Sequence, residues 1–103
     1  MFDWDRSNLR KIRAHRISRE EAEQALINDA IPLHEQYVDG ERRFVYYGET
    51  DTRRLLALIV TERGEKIRVV TAYDLDTGQK RDYFARRVLG EGCLEEINPN
   101  AQV

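Results

Sequence analysis

The stretch RRLLALIVTERGEKIRVVTAY, residues 53–73, decides how this chain folds. It holds two apolar runs, Leu55–Val60 and Ile67–Ala72, separated by Thr-Glu-Arg-Gly-Glu-Lys. Two such runs around a short segment containing glycine predict a β-hairpin that turns near Gly64. The first run, LLALIV, does not alternate with polar residues, which is typical of a strand covered on both faces. We therefore expect the hairpin to form the core of the protein, with neighbours on each side.

The pairing register decides which polar side chains of this hairpin share a face, because side chains alternate along a strand. A two-residue turn at 63–64 pairs Thr61 with Lys66. The same turn pairs Ile59 with Arg68. Thr61, Lys66 and Arg68 then lie on one face near the turn. On the other face, which we expect to pack on helices, lie Leu56, Leu58, Val69, Thr71 and Tyr73.

Two further strands are predicted ahead of the core hairpin. Leu33–Val38 and Arg43–Gly48 flank Asp39-Gly40-Glu41, in which the glycine supplies a left-handed turn position. The polar segment 48–52 then turns the chain into the core hairpin. Consecutive strands joined by short turns predict an antiparallel meander.

Helix signals precede the strands. Asp5 is placed to cap a first helix over about Arg6 to Ala14. The segment Ser18-Arg19-Glu20-Glu21 is a capping box, which predicts a second helix from about Arg19 to Ile27. The short connection between these helices makes an αα-hairpin.

A third helix is predicted after the strands. Asp76 and Thr77 are good N-cap residues, and the helical pattern stops at Gly90. The apolar residues that recur at helical spacing are Tyr83, Phe84, Val88 and Leu89. We expect one α+β domain over residues 1–90, with an N-terminal helical hairpin and a C-terminal helix on a four-stranded antiparallel sheet, and a flexible tail over 91–103.

Composition excludes several classes of protein. A chain of 103 residues, 41% hydrophobic and 35% charged, has room for one solvated core and not for two. No stretch approaches the roughly 20 apolar residues of a membrane span. The N-terminus lacks the basic start and apolar core of a signal peptide, and the single Cys93 cannot form an internal disulfide. We therefore expect a cytoplasmic protein that does not associate with membranes.

The charge distribution is less uniform than the net charge of −2 suggests. An acidic balance argues against a general nucleic-acid coat protein. Residues 51–92, however, contain nine basic and seven acidic residues. An acidic protein can still present one basic cleft, although ordinary solvated charges explain the same composition.

Several segments resemble, in order, those of BrnT-type toxins, the ribonuclease partners in bacterial toxin–antitoxin pairs. Residues 61–73 are similar to the family pattern T-x-R-G-x-x-I-R-I-I-S-A-R, and residues 2–5 match its opening F-x-W-D. Residues 15–22 match H-G-V-S-x-E-E-A, residues 54–56 resemble G-R-L-L, and Tyr83 falls where E-R-R-x-Y ends. The resemblance implies a RelE-like fold, RNA cleavage that arrests translation, and a cognate antitoxin encoded in the same operon.

The chain departs from the family pattern at three positions. It has Tyr73 where the family has arginine, Gln79 where the family has glutamate, and Ala14 where the family has lysine. Losing a cation and a carboxylate could weaken or abolish nuclease activity. A BrnT-like interaction module without activity is therefore the alternative to an enzyme.

The candidate site residues follow from the chemistry of RNA cleavage without metal or cofactor. Such cleavage must deprotonate a ribose 2′-hydroxyl, stabilise charge on the phosphorane and protonate the leaving oxygen. Arginine suits the second task because its planar fork binds phosphate oxygens bidentately and stays charged. Arg68, as an exposed strand residue beside Lys66 and Thr61, is the first candidate. Arg63 and Arg81 are candidates for further phosphate contacts.

Proton transfer has weaker candidates. His15, Glu62 and Tyr83 carry suitable groups, but nothing in the sequence brings them to the cleft. A histidine at a helix end more often donates to the last carbonyls of that helix. Thr61, Arg54 and Tyr83 are candidates for RNA contacts, and no metal-ligand spacing occurs. The antitoxin is expected to supply carboxylates to Arg63, Lys66, Arg68 and Arg81.

Overall fold

The computed structural model describes residues 1–89 and has the predicted α+β architecture. Its elements, in chain order, are α1 (Arg6–Ala14), α2 (Arg19–Ile27), β1 (Ile31–Val38), β2 (Glu41–Glu49), β3 (Leu55–Arg63), β4 (Lys66–Asp74) and α3 (Thr77–Leu89). The predicted tail over 91–103 lies outside the described residues. No helix within residues 1–89 is long and apolar enough to cross a membrane.

The strands form a single antiparallel sheet in the order β1-β2-β3-β4, which confirms the predicted meander. The strands extend beyond their predicted bounds because backbone pairing continues into the turns. Glu41, which the sequence analysis placed in the first turn, instead pairs with Val38. Asp39 and Gly40 are left as the turn, with φ of +52° and +80°. Positive φ at both central residues is the type I′ geometry that matches the twist of a hairpin.

The first two helices begin at their predicted caps. The Asp5 carboxylate accepts hydrogen bonds from the backbone N–H groups of Ser7 and Asn8 at 2.9 and 3.2 Å. The side chain of Asn8 in turn accepts from the N–H of Asp5 at 2.8 Å. Ser18 and Glu21 form the predicted capping box, with both distances 3.0 Å. These bonds join residues three or fewer positions apart, so they start each helix without help from the rest of the fold.

The turn of the core hairpin lies one residue later than predicted. Arg63 pairs with Lys66, so Gly64 and Glu65 form the turn and Thr61 pairs with Arg68. The predicted register was wrong because it placed the glycine second in the turn, whereas Gly64 takes the first position with φ of +62°. Glycine at that position is favoured in type II′ turns. Thr61 and Arg68 still share a face with Lys66, as predicted, because alternation along each strand is unchanged.

A β-bulge at Val70 reverses the alternation in the second half of β4. Val69 and Thr71 pair with adjacent residues of β3, which leaves Val70 without a partner opposite. An extra residue of this kind moves the following side chains to the other face. The prediction that Thr71 and Tyr73 share a face with Val69 was therefore wrong. Val69 keeps its predicted place with Leu56 and Leu58 in the main core.

Helices cover both faces of the sheet. On one face, α1 and α2 bury a cluster made of Ile12, Ile17, Ala22, Ala25, Leu56, Leu58, Val60, Val69 and Ala72. On the other face, Tyr83 of α3 packs in a smaller cluster with Tyr47 and Ala57. The register places Thr61 on the same face as Ala57, nearer the β3–β4 turn. Polar side chains occupy that end of the face.

The third helix buries one residue, Tyr83, and leaves its other apolar residues largely exposed. The exposed fractions are 56% for Phe84, 80% for Val88 and 42% for Leu89. These three residues recur at helical spacing in the sequence, but they do not share the buried side of the helix with Tyr83. At about 100° per residue, Phe84 and Val88 lie roughly 100° and 140° around the helix from Tyr83.

The first helix lies beside β4 at the edge of the sheet. Ahead of it, the N–H of Asp3 donates to the Ile67 carbonyl at 2.9 Å, and the N–H of Ile67 donates to the Met1 carbonyl at 2.8 Å. At the other end of α1, the rings of His15 and Tyr73 are 6.2 Å apart. The helix therefore runs along β4 from its turn end to its far end.

The contact between β2 and α2 makes a testable prediction. A Cβ added at Gly48 would lie 2.3 Å from the Ala25 carbonyl oxygen, which is backbone and cannot rotate away. We expect Gly48→Ala to lower the free energy of unfolding by about 1 to 3 kcal/mol, as overpacked cores do. Urea unfolding followed by circular dichroism measures this change.

The control is Gly78→Ala in the first turn of α3, where the nearest atom to an added Cβ is 3.5 Å away. Alanine is the better helix former, so this variant should be neutral or slightly more stable. Equal unfolding midpoints for the two variants would contradict the close approach at Gly48.

Candidate nucleic-acid interface

A polar cavity of about 150 Å³ lies at the end of the sheet near the β3–β4 turn. We call it the basic cleft. Side chains from α1, β2, β3 and β4 line it. Its cationic residues are Lys11, Arg43, Arg63 and Arg68, and its acidic residue is Glu41. The cleft thus gathers residues that the sequence places far apart.

A row of paired residues forms the floor of the basic cleft. Thr61 pairs with Arg43 on one side and Arg68 on the other. Thr61 is buried, and its hydroxyl donates to the Arg42 carbonyl at 2.8 Å. This hydrogen bond links β3 to β2. The RNA contact of Thr61 stays a prediction.

Arg68 is largely enclosed, which corrects the expectation of an exposed strand arginine. Its side chain is 12% exposed, and its guanidinium lies 3.0 Å from the Asp5 carboxylate and 3.6 Å from that of Asp3. The hydrogen bond to Arg68 lowers the pKa of the Asp5 carboxyl, and the same bond raises the pKa of Arg68. Arg68 therefore anchors the start of α1 to β4. The sequence does not reveal this pair because its members are 63 positions apart.

The other cations of the basic cleft differ in how strongly they are held. Arg43 donates to Glu41 at 2.9 Å, whereas Arg63 lies 3.7 Å from the same carboxylate and its side chain is 53% exposed. The hydrogen bond from Arg43 is the main cause of a lowered pKa at Glu41. Lys11 in the cleft, and Lys66 beside it as the strand partner of Arg63, are exposed. Neither makes an ion pair with any residue in the described range 1–89. Lys11, Lys66 and Arg63 are thus the cations available to a ligand.

Arg54, a predicted RNA contact, has every donor engaged within the protein. Its guanidinium forms two hydrogen bonds with Asp74, at 2.8 and 2.9 Å, and bonds to Glu21 at 3.1 Å. It also donates to the backbone carbonyls of Arg16 and His15, at 2.8 and 3.3 Å. A guanidinium has five N–H donors, and these acceptors use all of them. The hydrogen bond to Asp74 is the main cause of a raised pKa at Arg54.

The remaining predicted site residues lie away from the basic cleft. His15 caps the C-terminus of α1 and contacts Tyr73. Tyr73 is seven residues after Lys66 on β4, which places it roughly 23 Å from the turn end of the strand at about 3.3 Å per residue. Tyr83 is buried under the sheet, where its hydroxyl donates to Glu49 at 2.9 Å and burial raises its pKa. Arg81 is exposed on α3. The fold therefore does not bring His15 and Tyr83 together with the cations near the turn.

Two cations of the basic cleft, Arg43 and Lys11, were not among the predicted site residues. Arg43 pairs directly with Thr61, so the register of the β2–β3 hairpin would have identified it. Lys11 comes from α1, and no local pattern links that helix to the β3–β4 turn. Within residues 1–89, no group of three or more His, Cys, Asp and Glu side chains is placed to hold a metal ion.

Comparison with known proteins gives one match. Residues 4–78 match the sequence model of a family described as ribonuclease toxin, BrnT, of type II toxin-antitoxin system. The match covers most of the chain, from the segment ahead of α1 through the whole sheet. No curated protein matches the chain.

The ion pairs of Arg68 make a second prediction. Replacing Arg68 with alanine leaves Asp3 and Asp5 close together without their cation. We expect Arg68→Ala to lower the free energy of unfolding by about 1 to 2 kcal/mol, between the effects known for exposed and for buried pairs. Lys66→Ala, on the same strand without an ion partner in residues 1–89, should change it by less than about 0.5 kcal/mol. Chemical unfolding of both variants checks this, and equal stability would refute the anchoring role.

Proposed function

Because this chain belongs to the BrnT family of ribonuclease toxins of type II toxin-antitoxin systems, we propose that it cleaves RNA without a metal ion and thereby arrests translation. The observation that carries the proposal is the basic cleft. Three of the cations at or beside the cleft are free to bind phosphate at an open end of the sheet.

RNA binding at the basic cleft rests on Lys11, Arg63 and Lys66. Lysine and arginine bind phosphate oxygens through charge-assisted hydrogen bonds, and Arg63 can do so bidentately. Arg63 and Lys66 form the last pair of the β3–β4 ladder, so both side chains leave the sheet at one place. A single RNA strand entering there meets Lys11 on the α1 side of the cleft.

The proposed reaction uses the nucleophile that RNA itself carries. The ribose 2′-hydroxyl gives its proton to water while its oxygen attacks the adjacent phosphorus. The bond to the 5′-oxygen breaks, and that oxygen takes a proton from water. The products are a 2′,3′-cyclic phosphate and a 5′-hydroxyl. We assign Arg63 to stabilise the phosphorane, because its guanidinium lines the cleft, stays charged and can bind two phosphate oxygens at once. Arg68 remains a candidate for direct contact, and its ion pairs with Asp5 and Asp3 support a positioning role that holds α1 at the cleft.

The predicted candidates for the general base lie away from the basic cleft. Glu62 pairs with Ile67 and so lies on the sheet face opposite Thr61. His15 and Tyr83 are at the other end of the sheet. Glu41 is the carboxylate that lines the cleft, and its lowered pKa keeps it ionised but makes it a weak base. We infer that stabilising the charge on the phosphorane contributes more to the cleavage rate than proton transfer by a side chain does.

The departures from the family pattern do not touch the basic cleft. Gln79 caps α3: its side chain accepts from the N–H of Asp76 at 3.0 Å, and its own N–H donates to the Asp76 carboxylate at 2.8 Å. Glutamine performs this capping role as well as glutamate does. Tyr73 packs against the smaller cluster that contains Tyr83, and Ala14 ends α1. The positions of these residues favour an enzyme over an inactive interaction module, which remains the alternative.

The cleavage reaction is tested with purified protein freed of antitoxin, single-stranded RNA and a chelator. We expect fragments that end in 2′,3′-cyclic phosphate, and no cleavage where the 2′-oxygen is methylated. Arg63→Ala should reduce the rate by about a hundredfold or more, the scale for loss of a charge-stabilising group. Arg53→Ala is the control, because that side chain is 88% exposed and lies outside the cleft. Intact RNA across varied sequences would remove the enzyme and leave the interaction module.

An antitoxin partner is the other part of the proposal. We propose that an acidic segment of this partner binds Lys11, Arg63 and Lys66, since Arg68 already has two carboxylates of its own. Such a contact is salt-sensitive, and a segment that orders on binding masks the cleft reversibly.

Expression from the native operon tests the partner. A small protein encoded beside this gene should co-purify, and Arg63→Glu with Lys66→Glu should release it at lower salt than the wild type. The control, Arg53→Glu with Lys80→Glu, carries the same charge change at exposed positions outside the cleft. Isolation of the chain alone, with unchanged growth on overproduction, would refute the toxin assignment.

A further inference from the structure

The segment from α1 to the start of α2 has an unusual charge. Residues 6–19 contain six basic residues and no acidic residue. All six are exposed: Arg6, Arg10, Lys11, Arg13, Arg16 and Arg19. Arg19 alone among them pairs with a carboxylate in the described residues 1–89, at 3.7 Å from Glu23.

Three of these arginines form a line along α1. Arg6, Arg10 and Arg13 are spaced i, i+4 and i+7, which puts them on one side of the helix. The apolar Leu9 and Ile12 lie on another side and pack in the main core. We call Arg6, Arg10 and Arg13 the arginine stripe.

The arginine stripe is electrostatically unfavourable for the folded chain. Like charges three and four residues apart on a helix repel each other, and a cation in the first turn opposes the helix dipole. Within residues 1–89 no carboxylate pairs with the stripe. Within the stripe, the helix dipole favours only Arg13, which lies in the last turn of α1. Repulsion between like charges that no carboxylate offsets is expected where function requires it.

The stripe lies around the exposed side of α1 from the basic cleft. Lys11 lines the cleft and is about 100° around the helix from Arg10, the nearest residue of the stripe. Because Arg68 holds the start of α1 to β4, the helix cannot swing away from the cleft while those ion pairs are intact. An RNA strand that leaves the cleft past Lys11 and crosses the exposed side of α1 meets the arginine stripe at Arg10.

We propose that the arginine stripe is a second binding surface for the RNA backbone, an inference that rests on the proposed function of the basic cleft. It binds successive phosphates of a strand whose scissile bond lies in the cleft. Phosphate contacts carry no sequence information and fix the position of the strand. The stripe thus sets the length of RNA that binds well, and the cleft performs the cleavage.

The chemistry of the stripe favours RNA over other anionic partners. Helices that bind membrane surfaces, and the centres of protein interfaces, present apolar side chains beside their charges. On α1, Ile12 is buried and Leu9 is half-buried, so the exposed side of the helix is charged and polar. Arg13 lines a cavity together with the apolar residues Leu9, Ile12 and Ile17. The side of α1 that carries Arg6 and Arg10 is charged and polar, and it suits a partner with regularly repeated phosphates.

The test compares two lengths of RNA in which every 2′-oxygen is methylated, so that binding is measured without cleavage. Oligonucleotides of about 4 and about 16 nucleotides span the range of single-strand site sizes. The variant is Arg10→Gln with Arg13→Gln, since glutamine is a good helix former. The control is Arg53→Gln with Lys80→Gln, which removes the same charge elsewhere on the surface.

We expect the stripe variant to bind the long RNA at least about tenfold more weakly at low salt. The slope of log K against log salt should fall by about 1.4, because each lost single-strand phosphate contact removes about 0.7. The short RNA should bind as it does to the wild type. Thermal unfolding verifies that both variants are folded.

Three results overturn the inference. They are an unchanged slope of log K against log salt in the stripe variant, an equal loss of RNA affinity in the control variant, and an equal loss of affinity for the short RNA. Loss of antitoxin binding with RNA binding intact would also overturn it and assign the stripe to the protein partner. Cleavage of unmodified short RNA by the wild type is measured separately. If cleavage fails while the slope changes, the proposed function is wrong and the stripe still binds RNA.

Discussion

The position of the helical hairpin on the sheet depends on the guanidinium of Arg54. This one group reaches the end of α1, the start of α2 through Glu21, and the end of β4 through Asp74. Its main-chain acceptors are the carbonyls of His15 and Arg16, in the short connection between α1 and α2. With Arg68 holding the opposite end of α1 to β4, the helix is fastened at both ends by arginine. The basic cleft has a fixed wall for this reason.

Arginine performs two different tasks in this protein, and their environments distinguish them. Arg54 and Arg68 are largely enclosed and bonded to carboxylates, whereas the arginine stripe is exposed and has no carboxylate partner in residues 1–89. The N–H donors of the first group bond to carboxylates within the fold, and the guanidinium groups of the second remain available to a ligand. Residue type alone cannot separate the two groups, because the distinction depends on which carboxylates the fold brings near.

The features predicted correctly are those that interactions between residues close in the sequence determine. The bounds of α1 and α2 agree with the structure because Asp5 and Ser18 cap them through bonds to nearby residues. The number, order and direction of the strands also followed from the sequence. The hairpin register and the bulge at Val70 did not, since each depends on how two strands fit together and not on either alone. For the same reason the grouping of Thr61, Lys66 and Arg68 was predictable, whereas the burial of Arg68 by Asp5 was not.

The order in which the chain is made also constrains the basic cleft. Its lining begins at Ser7 and ends at Val70, and the bond that fastens α1 joins residues 63 positions apart. At about 5 to 20 residues per second, roughly 3 to 13 s of synthesis separate the first residue of the lining from the last. During that interval α1 exists as a nascent segment with no β4 to pack against. A nascent chain therefore cannot present the assembled cleft before β4 has been synthesised.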